Sequence, residues 1–254
     1  IFCIDGGGTK SNAILYDFNG KILSKSKANS CNIFNDVYVV EKNIYKLWID
    51  CCKKAKLNKK IINSKTIASF GLAGARYEKG RKYLEKKINF FERLIISTDG
   101  HIALAATTFL KSAGILNIGT GLVSHLILSK NYSQQISGWG FPFGDKAGGW
   151  WIGLRMVQET IKAIDGYGNQ NDIVVNKTLN YIGTKDLEIL QWASKSKPHH
   201  LAKLSMIFFS IKKKSFIFDK ILNEALSEIE SILEFIIFKK KIKKIFLIGG
   251  LSSC

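Results

Sequence analysis

Three short glycine-rich turns, each placed directly after an apolar strand-like run, constrain the fold of this chain more than any other sequence feature. They are residues 5–9 (DGGGT), 117–121 (NIGTG) and 248–250 (IGG). Consecutive glycines after a strand let backbone N–H groups approach an anion without a Cβ in the way. Each turn taken alone favours the simpler interpretation of a tight turn that needs a positive φ. The turns are therefore specific only when they are taken together, in their order along the chain.

The hydrophobic pattern around these turns predicts two α/β domains, 1–110 and 111–254. In the first, Asn19-Gly20 favours a type I′ hairpin between two strand-like runs, and Asp99 is placed to cap a helix. The other elements predicted there are a strand at 1–4, a helix within 36–56, a strand at 66–71, a helix at 77–90, a strand at 94–97 and a helix at 101–110. The second domain is predicted to contain strands at 113–119, 122–129 and 245–250, a glycine and aromatic loop at 137–149, and helices between 150 and 238.

The glycine turns match neither common nucleotide-binding fingerprint. The chain contains no GxxxxGK[ST] loop, and none of the turns fits GxGxxG. Asp5, at the end of its strand, is instead placed to hold a hydrated Mg²⁺ beside a polyphosphate.

The strong positive charge is the feature that most invites a different function. Lys and Arg total 38 against 20 Asp and Glu, a formal net charge of +18. Only four of the basic residues are arginine, the side chain that forks onto phosphates and base edges, and the lysines are spread along the chain. We therefore expect no specific nucleic-acid partner.

Apolar runs and cysteines bear on the compartment. No apolar stretch approaches the ~20 residues that span a bilayer, so no membrane partner is expected. The chain opens on a strand-like run with no basic segment or cleavage site, so secretion is not expected. The five cysteines are odd in number and show no CxxC spacing, which favours a reduced, cytoplasmic protein.

Taken in order, DGGGTK, then GTG, then a strand ending in GG resemble the actin, sugar-kinase and heat-shock chaperone superfamily. The loops GLAGAR (71–76), STDGHIALAA (97–106) and GWGFPFGDKAGGWWIGL (138–154) are similar to those of the N-acetylglucosamine kinase / BadF-BadG-BcrA-BcrD ATPase family. The resemblance implies two actin-like (ribonuclease H-like) α/β domains with a cleft between them. It also implies a truncated C-terminal end, because the chain stops four residues after Gly250 whereas the family continues into helical structure.

The resemblance also implies a role for individual residues, with ATP and Mg²⁺ as cofactors. Asp99 matches the base that takes the proton from the sugar hydroxyl. The residues implied to bind the sugar are Asn32, Asp99, Gly138, Trp139, Gly140 and Asp145. Those implied to bind ATP are Gly7, Gly8, Thr9, Lys10, Gly119, Thr120, Gly121, Gly249 and Gly250, with Asp5 for the metal.

Each assignment has a simpler structural alternative. Asp99 is also a suitable helix N-cap, Asp145 a solvated turn carboxylate and Asn32 a turn residue. Trp139, like the Trp150-Trp151 pair, is more typical of core packing than of a sugar platform, because tryptophan buries a large apolar area.

Two residues depart from the family pattern. Lys146 follows Asp145 where family members commonly carry an acidic residue, which changes the charge beside the implied sugar site. Leu122 stands where the second phosphate loop commonly continues with serine, which removes a hydroxyl contact.

The function that we expect is an ATP-dependent kinase acting on the 6-hydroxyl of N-acetylglucosamine or glucosamine. One alternative is an ATPase that activates a partner enzyme, although no cysteine lies beside the GTG loop to hold the iron–sulfur cluster of such proteins. Another is a non-catalytic sugar sensor or decayed kinase, which Lys146 and Leu122 suggest. A homodimer is left open.

Overall fold

The computed structural model describes residues 1–8, 10–108, 111–129, 132–183 and 188–253. Thr9, one of the residues implied to bind ATP, lies outside the described residues. The chain divides into two compact units, Ile1–Phe109 and Leu110–Cys254. Both units are α/β, as the hydrophobic pattern predicts.

The first unit is built on a five-stranded sheet in the order β3-β2-β1-β4-β5, in which β1, β4 and β5 are parallel. Its strands are β1 (Phe2–Gly6), β2 (Lys10–Tyr16), β3 (Ile22–Asn29), β4 (Ile67–Leu72) and β5 (Arg93–Ser97). Its helices are α1 (Val37–Lys54), α2 (Lys59–Ile62), α3 (Glu78–Lys87) and α4 (Asp99–Thr108), with a 3₁₀ turn at Asn63–Lys65.

Aromatic side chains fill the core of the first unit. The Phe2 ring contacts Trp48 at 4.9 Å, Phe70 at 5.7 Å and Phe91 at 5.9 Å between centroids. Phe2 belongs to β1 and Trp48 to α1, so this cluster packs the helix against the sheet. Burial of such large apolar side chains is the dominant favourable term in folding.

The second unit has a four-stranded sheet in the order β8-β7-β6-β9. The five helices that the structure describes in this unit lie between β8 and β9 in the sequence. Its strands are β6 (Ala113–Ile118), β7 (Leu122–Ser129), β8 (Tyr132–Ser137) and β9 (Ile245–Ile248). Its helices are α5 (Gly149–Ile164), α6 (Ile173–Ile182), α7 (Ile189–Lys195), α8 (Pro198–Phe209) and α9 (Phe216–Glu234), with a π-helical turn at Phe235–Lys239.

The hairpin at Asn19-Gly20 forms, but its predicted turn type is wrong. A type I′ turn requires positive φ at both central residues, and here only Gly20 (φ 83°) has one. The Gly20 amide donates to the carbonyl of Asp17 at 3.2 Å, and the Asp17 carboxylate accepts the amides of Asn19 and Lys21, both at 2.9 Å. The Asp17 side chain therefore stabilises a longer loop with its glycine in the left-handed region.

Candidate functional site

The carboxyl ends of the three parallel strands of the first unit form the edge that carries its polar residues. In register, Asp5 of β1 pairs with Gly71 of β4, and Gly71 pairs with Ser97 of β5. Asp99, separated from Ser97 only by Thr98, is the first residue of α4. The strand register therefore brings the implied metal residue Asp5 and the implied base Asp99 to the same sheet edge.

The first glycine turn joins β1 to β2 at this edge. The amide of Gly7 donates to the carbonyl of Lys10 at 3.0 Å, which closes the turn. A Cβ placed on Gly8 would meet no atom within 4 Å, so the turn presents open space there. Asp5 is exposed, and a carboxylate is the hard oxygen donor that Mg²⁺ prefers. The residues present fit the Mg²⁺ and phosphate groups that the resemblance implies.

Asn32 lies beside this turn. The amide of Cys31 donates to the carbonyl of Gly7 at 3.2 Å, and the amide of Ile33 donates to the carbonyl of Ala73 in the GLAGAR loop at 2.9 Å. The Asn32 Oδ1 atom accepts the Phe34 amide at 3.0 Å. Asn32 is thus a turn residue, as the simpler alternative has it, and its backbone neighbours tie it to two of the motif loops.

The helix N-cap predicted for Asp99 is wrong, because Thr98 has that role. The Thr98 Oγ1 atom accepts the amide of His101 at 3.1 Å, and the helix begins at Asp99 rather than at residue 101. Asp99 is therefore the first residue of α4, and its Oδ1 accepts the amide of Gly100 at 2.9 Å. The N-cap hydrogen bond of α4 is therefore made by Thr98 and not by Asp99.

The surroundings of Asp99 favour its protonated form more than water does. Asp99 is half-buried, and desolvation raises the pKa of its carboxyl, with the Gly100 amide acting in the opposite direction. Burial lowers the pKa of the nearby His101. A carboxylate with a raised pKa accepts a proton more readily, which is what a general base requires.

In the second unit the GTG turn is held from two sides by backbone hydrogen bonds. The first residues of α5 donate to it, Gly149 to the carbonyl of Gly119 at 2.8 Å and Trp150 to that of Thr120 at 2.9 Å. On the other side, the amide of Leu251 donates to the carbonyl of Ile118 at 2.9 Å. The Gly249–Gly250 turn, which precedes Leu251, therefore lies against the start of the GTG turn.

The loop of residues 138–145 closes on its own carboxylate. Asp145 Oδ1 accepts the amide of Gly140 at 3.2 Å, and the nearby amides of Gly138 and Trp139 also favour the charged form of this carboxylate. A Cβ on Gly121 would overlap Oδ2 of Asp145, so Gly121 leaves the space that this carboxylate occupies. Asp145 thus joins the implied sugar loop to the implied phosphate loop.

The pKa of the Asp145 carboxyl is raised by burial, against the lowering effect of the Gly140, Gly138 and Trp139 amides. Asp145 is therefore a half-buried turn carboxylate rather than a fully solvated one, and it accepts an amide of its own loop.

The tryptophans of the GWGFPFGDKAGGWW segment differ in burial. Trp150 is buried, and the ring of Phe141 packs edge-on against it at 5.1 Å. Trp139 is 74% exposed, so the core-packing interpretation does not hold for it. The exposed indole therefore lies at the surface of the second unit.

The two departures from the family pattern have distinct environments. Leu122 is completely buried in the core of the second unit, which accounts for an apolar residue there. The Lys146 ammonium pairs with Glu228 of α9 at 3.3 Å and lies over the ring of Trp151 at 6.0 Å. Its charge is therefore shared with a carboxylate of the same unit.

Sequence reasoning missed Thr98 and Gly148. A Cβ on Gly148 would lie 2.5 Å from the carbonyl carbon of Gly121, so this glycine lets α5 approach the GTG turn. The signal for Thr98 is present in the sequence, since Thr followed by Asp is a common helix start. Gly148 carries no such local signal, because its contact is distant in sequence.

Among the residues that the structure describes, no group of three or more His, Cys, Asp and Glu side chains converges as a metal site would require. No helix in the described ranges combines the length and apolar character needed to cross a membrane.

Comparison with known proteins defines the class of protein. A family model described as "BadF/BadG/BcrA/BcrD ATPase family" matches residues 3–254. The chain belongs to this family, and the resemblance stated from its motifs is confirmed.

Two relatives of this chain are amino-sugar kinases by name. The chain is 24% identical to a glucosamine kinase of Vibrio cholerae, over 82% of this chain and 69% of the relative. It is 25% identical to an N-acetyl-D-glucosamine kinase of Dictyostelium discoideum, over 80% of this chain and 67% of the relative.

A solved structure shows the same fold. The candidate N-acetylglucosamine kinase of Chromobacterium violaceum superimposes with a TM-score of 0.82 at 22% identity, over 99% of this chain and 88% of that one. The predicted fold class, an actin-like α/β architecture as in sugar kinases, is thereby confirmed.

Proposed function

We propose that this protein is an ATP-dependent amino-sugar kinase that phosphorylates the 6-hydroxyl of N-acetylglucosamine or glucosamine in the cytoplasm. The observation that carries the proposal is the sheet edge of the first unit. There the strand register aligns Asp5, Gly71 and Ser97, and α4 begins with a half-buried Asp99 whose capping duty is taken by Thr98. Membership of an ATPase family with relatives named as amino-sugar kinases supports it.

The residues of this chain divide the chemistry between them. When bound, ATP with Mg²⁺ supplies the phosphoryl group and neutralises the charge that develops during transfer. Asp99 accepts the proton of the sugar hydroxyl as that oxygen bonds to phosphorus, and burial raises the pKa of the Asp99 carboxyl in the direction that favours this step. Asp5 would hold the metal through water, and the open turn at Gly7 and Gly8 would receive phosphate oxygens.

In the second unit we assign the GTG turn to phosphate and the loop of residues 138–145 to the sugar. The amides of that loop are fixed by Asp145, and its exposed Trp139 offers an aromatic face. The Gly249–Gly250 turn is assigned to the nucleotide. Phosphoryl transfer demands positioning more than covalent work from the protein, and these hydrogen-bonded loops are suited to positioning.

The test is a coupled ADP-release assay on N-acetylglucosamine, glucosamine, N-acetylmannosamine and glucose. We expect release to depend on an amino sugar and the product to be its 6-phosphate by mass spectrometry and ³¹P NMR. The matched control is 6-deoxy-N-acetylglucosamine, which lacks only the accepting hydroxyl and should bind without releasing ADP.

Three other results would contradict this function. Calorimetric sugar binding without any ADP release would favour the sensor. Sugar-independent ADP release with iron absorbance in anaerobically purified protein would favour the activating ATPase. Unchanged ADP release with the 6-deoxy sugar would place the transfer on another oxygen.

A further inference from the structure

One contact at the sheet edge sets how closely α4 approaches β4. A Cβ added to Gly71 would overlap the Cγ1 and Cδ1 atoms of Ile102, and would lie 3.2 Å from its Cγ2. The Ile102 side chain thus occupies the volume that any other residue at position 71 would fill. Gly71 is also the strand residue that pairs with Asp5 on one side and Ser97 on the other.

The spacing along α4 connects this contact to the implied base. Asp99 and Ile102 are three residues apart, and residues at i and i+3 lie on the same face of an α-helix. The distance of Ile102 from Gly71 therefore also sets the distance of the first turn of α4 from β4. Thr98 fixes where that turn begins, through its bond to the His101 amide.

We propose that Gly71 and Ile102 form a positioning pair that sets the place of the Asp99 carboxylate at the sheet edge. The inference rests on the proposed function, because it concerns the base of that reaction. Neither residue needs to touch the substrate. The absence of a side chain at Gly71 leaves space beside the strand, and the Ile102 side chain fills it. This contact fixes the position of the Asp99 carboxylate one helical turn away.

The experiment is a complementary pair of substitutions. Gly71→Ala inserts a methyl group where Ile102 lies and should displace the first turn of α4, which is expected to lower kcat by roughly 30- to 100-fold, since misplacement by about 1 Å costs a factor of that order. Ile102→Ala removes all three contacting atoms. The double variant Gly71→Ala/Ile102→Ala should recover kcat to within about fivefold of the unchanged protein, with the KM for ATP unaltered throughout.

A second readout separates this proposal from the proposed function. Protein labelled with ¹³C at the aspartate carboxyl carbons is titrated by NMR, and the Asp99 signal is assigned by its absence in Asp99→Asn. Burial raises the pKa of this group, so Gly71→Ala should move the pKa toward the ordinary value of about 3.9, and the double variant should move it back. If no sugar supports ADP release, the proposed function fails while this titration still tests the pair.

Ile44→Ala is the matched control, because Ile44 is a fully buried isoleucine of α1 in the same unit. It should lower the Tm without changing kcat or the Asp99 titration. If Gly71→Ala does not fold, the series Ile102→Val and Ile102→Ala replaces it, with a graded fall in kcat and a graded change in the titration expected. The proposal is overturned if these variants leave both readouts as in the unchanged protein, or if the double variant is no better than Gly71→Ala.

Discussion

Two aspartates, one in each unit, differ in how the chain uses their carboxylates. Burial raises the pKa of both Asp99 and Asp145. Asp99 opens a helix and accepts the amide of Gly100 in its own turn, whereas Asp145 accepts the amide of Gly140, five positions earlier, and closes a loop. The same direction of pKa shift therefore accompanies two different local structures, and the hydrogen-bond partners distinguish them.

The difference teaches that a raised pKa alone does not identify a base. The Asp145 carboxylate fills a space left by Gly121, so it packs the loop of residues 138–145 against the GTG turn. At Asp99 the N-cap bond is made by Thr98, and in the proposed function the carboxylate acts on the substrate. Functional and structural carboxylates are both desolvated, and the contrast has to be tested by substitution.

Removal of the Asp99 charge should have the largest effect. Asp99→Asn keeps the size of the side chain and its acceptor for Gly100 but removes the proton acceptor, so kcat is expected to fall by about 10²- to 10⁴-fold, with little change in the KM for sugar. Steady-state ADP release at saturating sugar measures it. In the unchanged protein, the acid limb of the kcat/KM profile should lie above the ordinary aspartate pKa of about 3.9, because burial raises the Asp99 pKa. Full retention of rate by Asp99→Asn would remove this residue from the chemistry.

A methyl group on Gly121 should be the most damaging change to the second carboxylate. Gly121→Ala forces the Asp145 carboxylate out of its space, which should lower the free energy of unfolding by about 1–3 kcal/mol, as overpacking generally does. The KM for sugar should rise more than tenfold, because the loop of residues 138–145 loses its closure. Urea unfolding and sugar titration measure the two effects.

The control for this variant is Gly166→Ala, which lies in the same unit outside the loop of residues 138–145, because a Cβ there would meet nothing within 4 Å, although φ is 87° and adds backbone strain. If the two variants have the same stability and the same KM, crowding against Asp145 is not the cause.

The sequence predicted the fold class and the order of the elements because apolar periodicity and glycine turns are local signals. The helix from 36 to 56 is confirmed as α1, since its apolar positions follow the helical repeat. The hairpin at Asn19-Gly20 was predicted with the wrong turn, because the Asp17 side chain competes for the loop amides. Local propensity does not include that competition.

The candidate site was predictable as a set of motifs but not as a set of contacts. The fit of Ile102 on Gly71 and of Asp145 against Gly121 joins residues 31 and 24 positions apart, and such contacts follow from how the strands and helices pack. No periodicity in a single sequence encodes them. The burial of the two carboxylates, which sets the direction of their pKa shifts, likewise depends on tertiary packing.

The contribution of a third carboxylate, Glu159, to the free energy of unfolding should depend on pH in the direction opposite to that of Asp99. Burial disfavours the charge of Glu159, but hydrogen bonds from Lys162 at 2.9 Å and Lys220 at 3.0 Å outweigh it and lower the pKa. Glu159→Gln should therefore lower the free energy of unfolding by about 2 kcal/mol at pH 7, since it leaves Lys162 and Lys220 without their shared carboxylate and leaves Arg155 with its pairing to Glu224. Because the folded pKa lies below the unfolded one, this stabilisation is present above about pH 4.5 and is lost as the pH falls through the folded pKa.

Asp99 provides the contrast in the same urea titrations. Its pKa is raised on folding, so its ionised form opposes folding at pH 7, and Asp99→Asn should be as stable as the unchanged protein or slightly more stable. The difference between the Glu159→Gln variant and the unchanged protein should stay constant from pH 7 to about pH 4.5 and shrink at lower pH. A difference that stays constant below pH 4.5 as well would show that ionisation of Glu159 contributes nothing.

The smallest effect is expected for Asp145→Asn, and it separates the two aspartates most directly. The amide retains one oxygen for the Gly140 amide but presents NH₂ in place of the other oxygen and loses the charge that the Gly138 and Trp139 amides favour. A loosened loop should raise the KM for sugar about tenfold, equivalent to 1.4 kcal/mol, while kcat stays within about threefold. Asp99→Asn should give the reverse division between kcat and KM. If Asp145→Asn instead lowers kcat as far as Asp99→Asn with KM unchanged, Asp145 acts in the transition state, and hydrogen-bond partners would not separate a base from a carboxylate that holds a loop.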